Sequence, residues 1–309
     1  MSLRASHLLL LTAIVCIAAC CPTPRNPPVP PPPISIQQQV GQLNRWSRSL
    51  PLLKATMNFD SGRFDYRDDD AKHHSETANV TLAIRQHLDP PSAADVYLRG
   101  LVIGNPAFEA GRNAQTWWFA IQLDRKTAWV GDATRPPDLS ALGRKQSQSV
   151  LRADIVPQLL GLTELPAPDA PPASGQVILM QENDALNDLL VVRLPSASDQ
   201  SPIATPAFIT RDIRIDRFTG HITEVRIYDS SGLLVVRSEL SNYAPVRYTG
   251  GAAPVFPGEV PQFPRKIIVT YPAQDAKITL NFDDVVIPAT IPNAAFEPAL
   301  EGLKIIHEN

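Results

Sequence analysis

Trp117-Trp118-Phe119-Ala120-Ile121-Gln122-Leu123-Asp124-Arg125-Lys126-Thr127-Ala128-Trp129-Val130 is the stretch whose pattern decides the fold. Trp117, Phe119, Ile121 and Leu123 fall on one side of an extended chain. Asp124-Arg125-Lys126 makes a tight turn, and residues 127–130 return beside the outgoing strand. Side chains alternate across a strand with period two, so this is an antiparallel hairpin with one apolar and one more polar face. Trp118 stands opposite Trp117, so at least one of the pair is partly exposed or covered by a loop. An exposed indole there suits a membrane interface.

Outward from that hairpin the same period continues. Val80, Leu82 and Ile84 alternate with Asn79, Thr81 and Arg85, and Val96 and Leu98 begin the next strand. Later strand signals cover residues 176–181, 189–194, 208–216, 222–228, 233–240, 266–271 and 277–282. Turns at Arg217-Phe218-Thr219-Gly220 and Ser230-Ser231-Gly232 punctuate them. Helical spacing occurs first at Ile36, Val40 and Leu43, with Trp46 or Leu50, before Pro51 ends the run. Residues 138–145 and 149–162 read as mid-chain helices, the second with Leu151, Ile155, Leu159 and Leu162 on one stripe. Pro157 interrupts it and predicts a kink or two short helices. Proline-rich loops occupy 166–172, 195–206 and 245–264. The expected architecture is mainly β, with ten or eleven antiparallel strands and a few helices. A sheet of that size must curl, and a barrel left unclosed keeps a cavity in its mouth.

The N-terminus carries its own signal. Arg4 precedes an apolar run from Leu8 to Ile17, which closes with Ile17-Ala18-Ala19-Cys20. Such a run is an export signal, too short to span a bilayer as a helix. Its ending resembles the bacterial lipobox, in which the Cys is acylated and becomes the new N-terminus; a plain secretory signal is the alternative. The expected organisation is a lipoprotein signal peptide at 1–19, lipidated Cys20 and a proline-rich tether at 20–33, and a single β domain at 34–309. Residues 22–33 contain eight prolines in twelve and predict a polyproline II spacer. At about 3.1 Å per residue it reaches roughly 35 Å.

Composition excludes several classes. The cysteines are Cys16, Cys20 and Cys21, so the folded part has no disulfide, thiol nucleophile or Cys-ligated metal. A net charge of −3 and a pI near 6.1 offer no basic surface for nucleic acid. No nucleophile elbow, Ser-x-x-Lys, His-Glu-x-x-His or phosphate-cradling glycine loop occurs. Asp65, Asp68, Asp69, Asp70, His73 and His74 form the one ionisable cluster, without a metal-ligand spacing. His87, His221 and His307 are isolated and read as surface or satisfied residues. No catalytic residue, metal or cofactor is expected.

Two motifs in order suggest a family. Asp95-Val96-Tyr97-Leu98-Arg99-Gly100-Leu101-Val102-Ile103-Gly104-Asn105-Pro106-Ala107-Phe108 resembles a strand, an Asn-Pro and an apolar loop tip of the bacterial outer-membrane lipoprotein receptor. Asp124-Arg125-Lys126-Thr127-Ala128-Trp129 is similar to the Asp-Gly-Lys-Thr-x-Trp turn of the soluble carrier, and residues 151–162 sit where the family has its lid helices. The chain thus resembles the LolA and LolB family over most of residues 36–306, the LolB-type receptor more closely.

The resemblance implies an unclosed antiparallel β-barrel with a helical lid over an apolar cavity that receives lipid or lipoprotein acyl chains, palmitate among them. The cavity-lining candidates are Leu82, Ile84, Trp117, Phe119, Ile121, Ile155, Leu159, Ile213, Ile215, Val225, Ile227 and Val235. Each could equally be packed core. Phe108 is the candidate membrane-transfer residue, one place later than in the receptor; the alternative is a Phe folded back over the rim. The implied role is lipoprotein sorting at the outer membrane, facing the periplasm, with a periplasmic carrier or another envelope protein as partner. Two other classes stay open. A scaffold or sensor with the same fold would have a filled core and an exposed patch at the Pro-rich loops. A hydrolase would bring Asp and His side chains into one cleft.

Overall fold

This computed structural model describes residues 29, 31–57, 62–67, 72–87, 94–122, 126–135, 152–168, 176–181, 186–194 and 208–308, with the backbone alone at 176–181, 193, 194, 208 and 308. The chain divides into two units, Met1–Pro32 and Pro33–Asn309, and the second carries every element below. The signal peptide, Cys20 and the tether up to residue 28 lie outside the described residues, as does the expected helix at 138–145.

Helix α1 (Ile36–Arg48) starts where the sequence can satisfy its open amides. The Ser35 hydroxyl accepts from the Gln38 N–H at 3.2 Å, and the Gln38 side chain accepts from the Ser35 N–H at 3.1 Å. Val40 and Leu43 are buried, and the run ends before Pro51 as their spacing required. The strands are β1 (Leu52–Thr56), β2 (Gly62–Arg67), β3 (His73–Arg85), β4 (Asp95–Val102), β5 (Asn105–Arg112), β6 (Thr116–Ile121) and β7 (Thr127–Asp132). A 3-10 turn at Ala153–Ile155 leads into α2 (Val156–Leu159). Then follow β8 (Gln176–Gln181), β9 (Asn187–Leu194), β10 (Phe208–Asp216), β11 (Ile222–Tyr228), β12 (Leu234–Pro245), β13 (Arg247–Thr249), β14 (Gln262–Tyr271), β15 (Ala276–Asn281), β16 (Asp284–Pro288) and β17 (Lys304–Glu308).

All seventeen strands belong to one sheet. From β3 to β7 each strand pairs antiparallel with the next, and β17 ends that flank in parallel beside β7. In the other direction β3 is shared: residues 73–78 pair with β2, and residues 81–85 pair with β1. Beyond β2 come β15, β14, β12, β11, β10, β9 and β8. Beyond β1 come β16 and, in parallel, β13. Among the described residues β8 pairs only with β9 and β17 only with β7. The barrel is therefore mainly β and unclosed.

The fold class stands, but the sheet has more strands than alternation revealed: β1, β2, β5, β13, β16 and β17 are additional. Strand β5 reads as a loop because its neighbours' rings occupy the space its own side chains would fill. A Cβ on Gly111 would lie 2.0 Å from Cζ2 of Trp118, so only glycine fits there. The mid-chain helix is shorter than the expected 149–162. Pro157 stands in its first turn rather than kinking an interior, and Gly161, at φ +69°, follows its end.

One apolar face runs through the sheet and meets α1 and the mid-chain segment. Val80, Leu82, Ile84, Leu98, Ala110, Ile213, Val225, Ile267 and Ile278 all belong to this single buried cluster, with Leu159, Leu160 and Leu162 from the segment. Asn44 of α1 exchanges two hydrogen bonds with the Leu165 backbone, at 2.9 and 2.8 Å, which fastens helix and segment together.

Candidate functional site

The segment 152–160 lies over β3, β4, β14 and β15. Between them is an apolar hollow of about 40 Å³, lined by Leu82, Leu98, Ala110, Ile267, Val269, Tyr271, Ile278 and Leu280 from the sheet and by Ala153, Val156, Leu159 and Leu160 from above. Phe64 and Arg152 complete the wall. Arg152 is held by Asp154 at 2.7 Å and its guanidinium stacks over the Trp117 ring at 4.3 Å, so this charge is satisfied beside an apolar surface. Tyr271 is buried, and burial followed by the charge of Asp154 pushes its hydroxyl well above the ordinary tyrosine range. The Ser238 hydroxyl donates to the Leu159 carbonyl, one of the carbonyls that a helix end leaves without an intrahelical partner.

Of the cavity candidates, Leu82 and Leu159 line this hollow. Ile84, Trp117, Phe119, Ile155, Ile213, Ile215, Val225, Ile227 and Val235 are buried core residues away from it, and Ile121 is partly buried against the same core. Val235 differs from the others in its parity. The register shift at Ile227/Tyr228 makes it an extra residue, so Val236, Ser238 and Leu240 carry the alternation that faces the segment.

Phe108 does not protrude. Its ring covers Gly100 and meets Phe64 edge-on with centroids 5.1 Å apart. The hairpin tip lies before the Asn-Pro rather than after it: Ile103 and Gly104 adopt φ of 50° and 78°, and Ile103 is 91% exposed. A β-branched residue at positive φ is rare, and nothing in the sequence alternation marks it.

Trp118 is fully buried on the opposite face, its Nε1 3.3 Å from Glu109. The Ala299 N–H donates to the same carboxylate at 3.4 Å, so the C-terminal segment covers this side of the sheet. Between them lies a cavity of about 800 Å³ of mixed character, lined by the polar side chains of Tyr97, Arg99, Glu109, Gln122 and Lys126 and by residues of the C-terminal segment, among them Ala294, Pro298, Ala299 and Leu303. Burial, and next the charge of Glu109, raises the Tyr97 hydroxyl above its usual range.

Of the Asp and His cluster, the described members have local partners. Asp65 pairs with Arg63 at 3.0 Å, His74 stacks on Tyr66, and Asp68, Asp69 and Asp70 lie outside the described residues. His87 meets Asp95 at 3.1 Å, and Arg85 holds the same carboxylate. One charged residue stands where the period-two pattern of β10 places an apolar one: Arg211 shares the inner face with Ile213 and Ile215 and is 7% exposed.

No family model matches the sequence, and no curated protein matches it. Among solved structures, a DUF1329-family protein from Desulfovibrio piger matches with a TM-score of 0.50 at 10% identity, over 84% of this chain and 95% of that one. A domain described as outer-membrane lipoprotein-sorting from Vibrio parahaemolyticus gives 0.48 at 11% identity, over 84% and 95%. A LolA superfamily protein from Nitrosomonas europaea gives 0.44 at 10% identity, over 86% and 99%. At 10% identity the first likeness is one of fold alone.

Proposed function

We propose that this chain is an exported, lipid-anchored envelope protein that binds acyl chains of lipid or lipoprotein between its curved sheet and the mid-chain segment, in lipoprotein sorting at the outer membrane. The observation that carries this reading is the apolar hollow beneath α2, enclosed by carbon on both sides. Its 40 Å³ little exceeds the roughly 30 Å³ that one water occupies in the liquid. The hollow is thus in a closed state, and a chain enters only when the segment 152–160 lifts from the sheet. The segment suits that motion because it is one 3-10 turn and one α-helical turn, tied to the sheet through Ser238. An acyl chain taken up there gains about 25 cal/mol for each Å² of apolar surface removed from water. Acylation at Cys20 and the tether that follows would keep the binding domain at the membrane that supplies its cargo, and two or more acyl chains make such anchoring stable. The partners are then acyl chains, the membrane and a periplasmic carrier or other envelope protein; the role is binding rather than catalysis.

A second reading, a scaffold that docks a protein, draws on the near-filled hollow and on Val255 and Val260, which are 40% and 62% exposed in the Pro-rich loop. Native mass spectrometry and lipid extraction of protein beginning at Ile34 separate the two. Acyl binding predicts co-purified lipid that is lost in Leu159→Glu and retained in Ile103→Glu. Protein that emerges empty and ignores fatty-acid probes belongs to the scaffold reading.

A further inference from the structure

Arg211 is a buried cation without a counter-charge among the described residues. On β10 it lies opposite Ile227 of β11 and Val192 of β9, and it shares their inner face with Ile213. The charged residues beside it in sequence point the other way and are paired: Asp212 accepts from the Tyr228 hydroxyl at 2.7 Å, and Arg214 meets Glu224 at 3.3 Å. Arg211 has no hydrogen bond or ion pair among the described residues, and its Nη1 is buried without a partner. Burial pushes its pKa down to about 10, so the guanidinium remains charged at neutral pH. A buried charge with no partner costs far more than its stem returns by packing, and a chain retains one where something supplies the missing anion. The planar fork of a guanidinium matches the two oxygens of a carboxylate or phosphate, and the groups flanking this one are aliphatic.

We propose that Arg211 receives the oxyanion head of a single-chain anionic amphiphile, a fatty carboxylate or an alkyl phosphate, whose tail lies along the inner face once the segment 152–160 has lifted from it. This rests on the acyl-binding reading and names the class of ligand that the same face would take. The tail provides affinity by burial, and the head provides selection.

The test uses the full chain in nonionic detergent and three probes with the same sixteen-carbon tail: palmitate, hexadecyl phosphate and hexadecanol. Dissociation constants are measured for wild type, Arg211→Met and Arg211→Lys. Wild type is expected to prefer one or both anions over the alcohol on the order of tenfold, the worth of a charge-assisted hydrogen bond. The stronger anion identifies the head. Arg211→Met should bind all three as wild type binds hexadecanol, and retained alcohol binding shows that it folds; Arg211→Lys should keep part of the preference. Equal binding of anions and alcohol by wild type, or a preference that survives in Arg211→Met, overturns the inference and leaves acyl binding intact. Failure of all three probes removes acyl binding itself, and this inference with it.

Discussion

His221 lies half-buried with its ring stacked on Tyr243, centroids 4.1 Å apart, while the Tyr243 hydroxyl donates to the Ile222 carbonyl. Burial holds the imidazole pKa below its ordinary 6.5, against a smaller upward pull from Asp216. With the folded pKa depressed, the unfolded chain takes up the proton first. The stability this site contributes is then present above pH 6.5 and is lost as pH falls through the lowered folded value. Urea midpoints should therefore drop between about pH 7.5 and about pH 5, and His221→Phe, which keeps the stacking, should flatten that drop. A midpoint that rises on acidification, or an unchanged slope in the variant, contradicts the assignment. Arg211 answers burial differently: its pKa falls too but stays far above neutrality, so it keeps its charge and needs an anion. Of the two, Arg211 stands where the alternation of β10 expects packing, whereas His221 lies in the turn just before β11.

At the scale of elements, α2 packs on the sheet through Val156 and Leu159 and receives one side-chain hydrogen bond from it among the described residues, from Ser238. Ser238→Ala leaves the buried Leu159 carbonyl without that donor, at a cost of about 1–3 kcal/mol. The same change should speed the entry of a fluorescent fatty acid in stopped-flow measurements, because it loosens the segment that must lift. Lost stability with an unchanged entry rate would mean that the segment does not gate the hollow. Elements with clean chemistry were legible in the sequence: α1 from the spacing of Ile36, Val40 and Leu43 and from Pro51, β6 and β7 from alternating aromatics, β10 and β11 from the turn ending in Gly220. Others were hidden because their sequence answers to a neighbour. Gly100 and Gly111 are small to admit the rings of Phe108 and Trp118, and β17 is specified by its parallel partner β7, far away in the chain. The hairpin tip was misplaced from Ile103 to Phe108 since positive φ at a β-branched residue leaves no trace in a hydropathy pattern. Of the inner face, the identity of the apolar residues was legible, but which of them border a void depends on how the segment 152–160 settles, and that is a property of packing.

For the whole molecule, an unclosed sheet is a way to keep one wall movable. A closed barrel fixes its interior by pairing every edge, whereas among the described residues this sheet ends at β8, β13 and β17 and relies on α1 and the mid-chain segment to cover its inner face. The two faces have different characters. The inner one is aliphatic, with the hollow beneath α2 and, on β10, the buried Arg211, and the outer one carries the chamber of mixed character beneath the C-terminal segment. Acyl binding to the inner face is the claim on which the functional account depends. Photocrosslinking tests it most directly: palmitic acid bearing a diazirine near its terminal carbon is irradiated with the protein, and labelled peptides are mapped by mass spectrometry. The account predicts label on β3, β4, β14, β15 and the segment 152–160. Label confined to the outer chamber or to the Ile103 tip, or no more label than unfolded protein takes up, contradicts it.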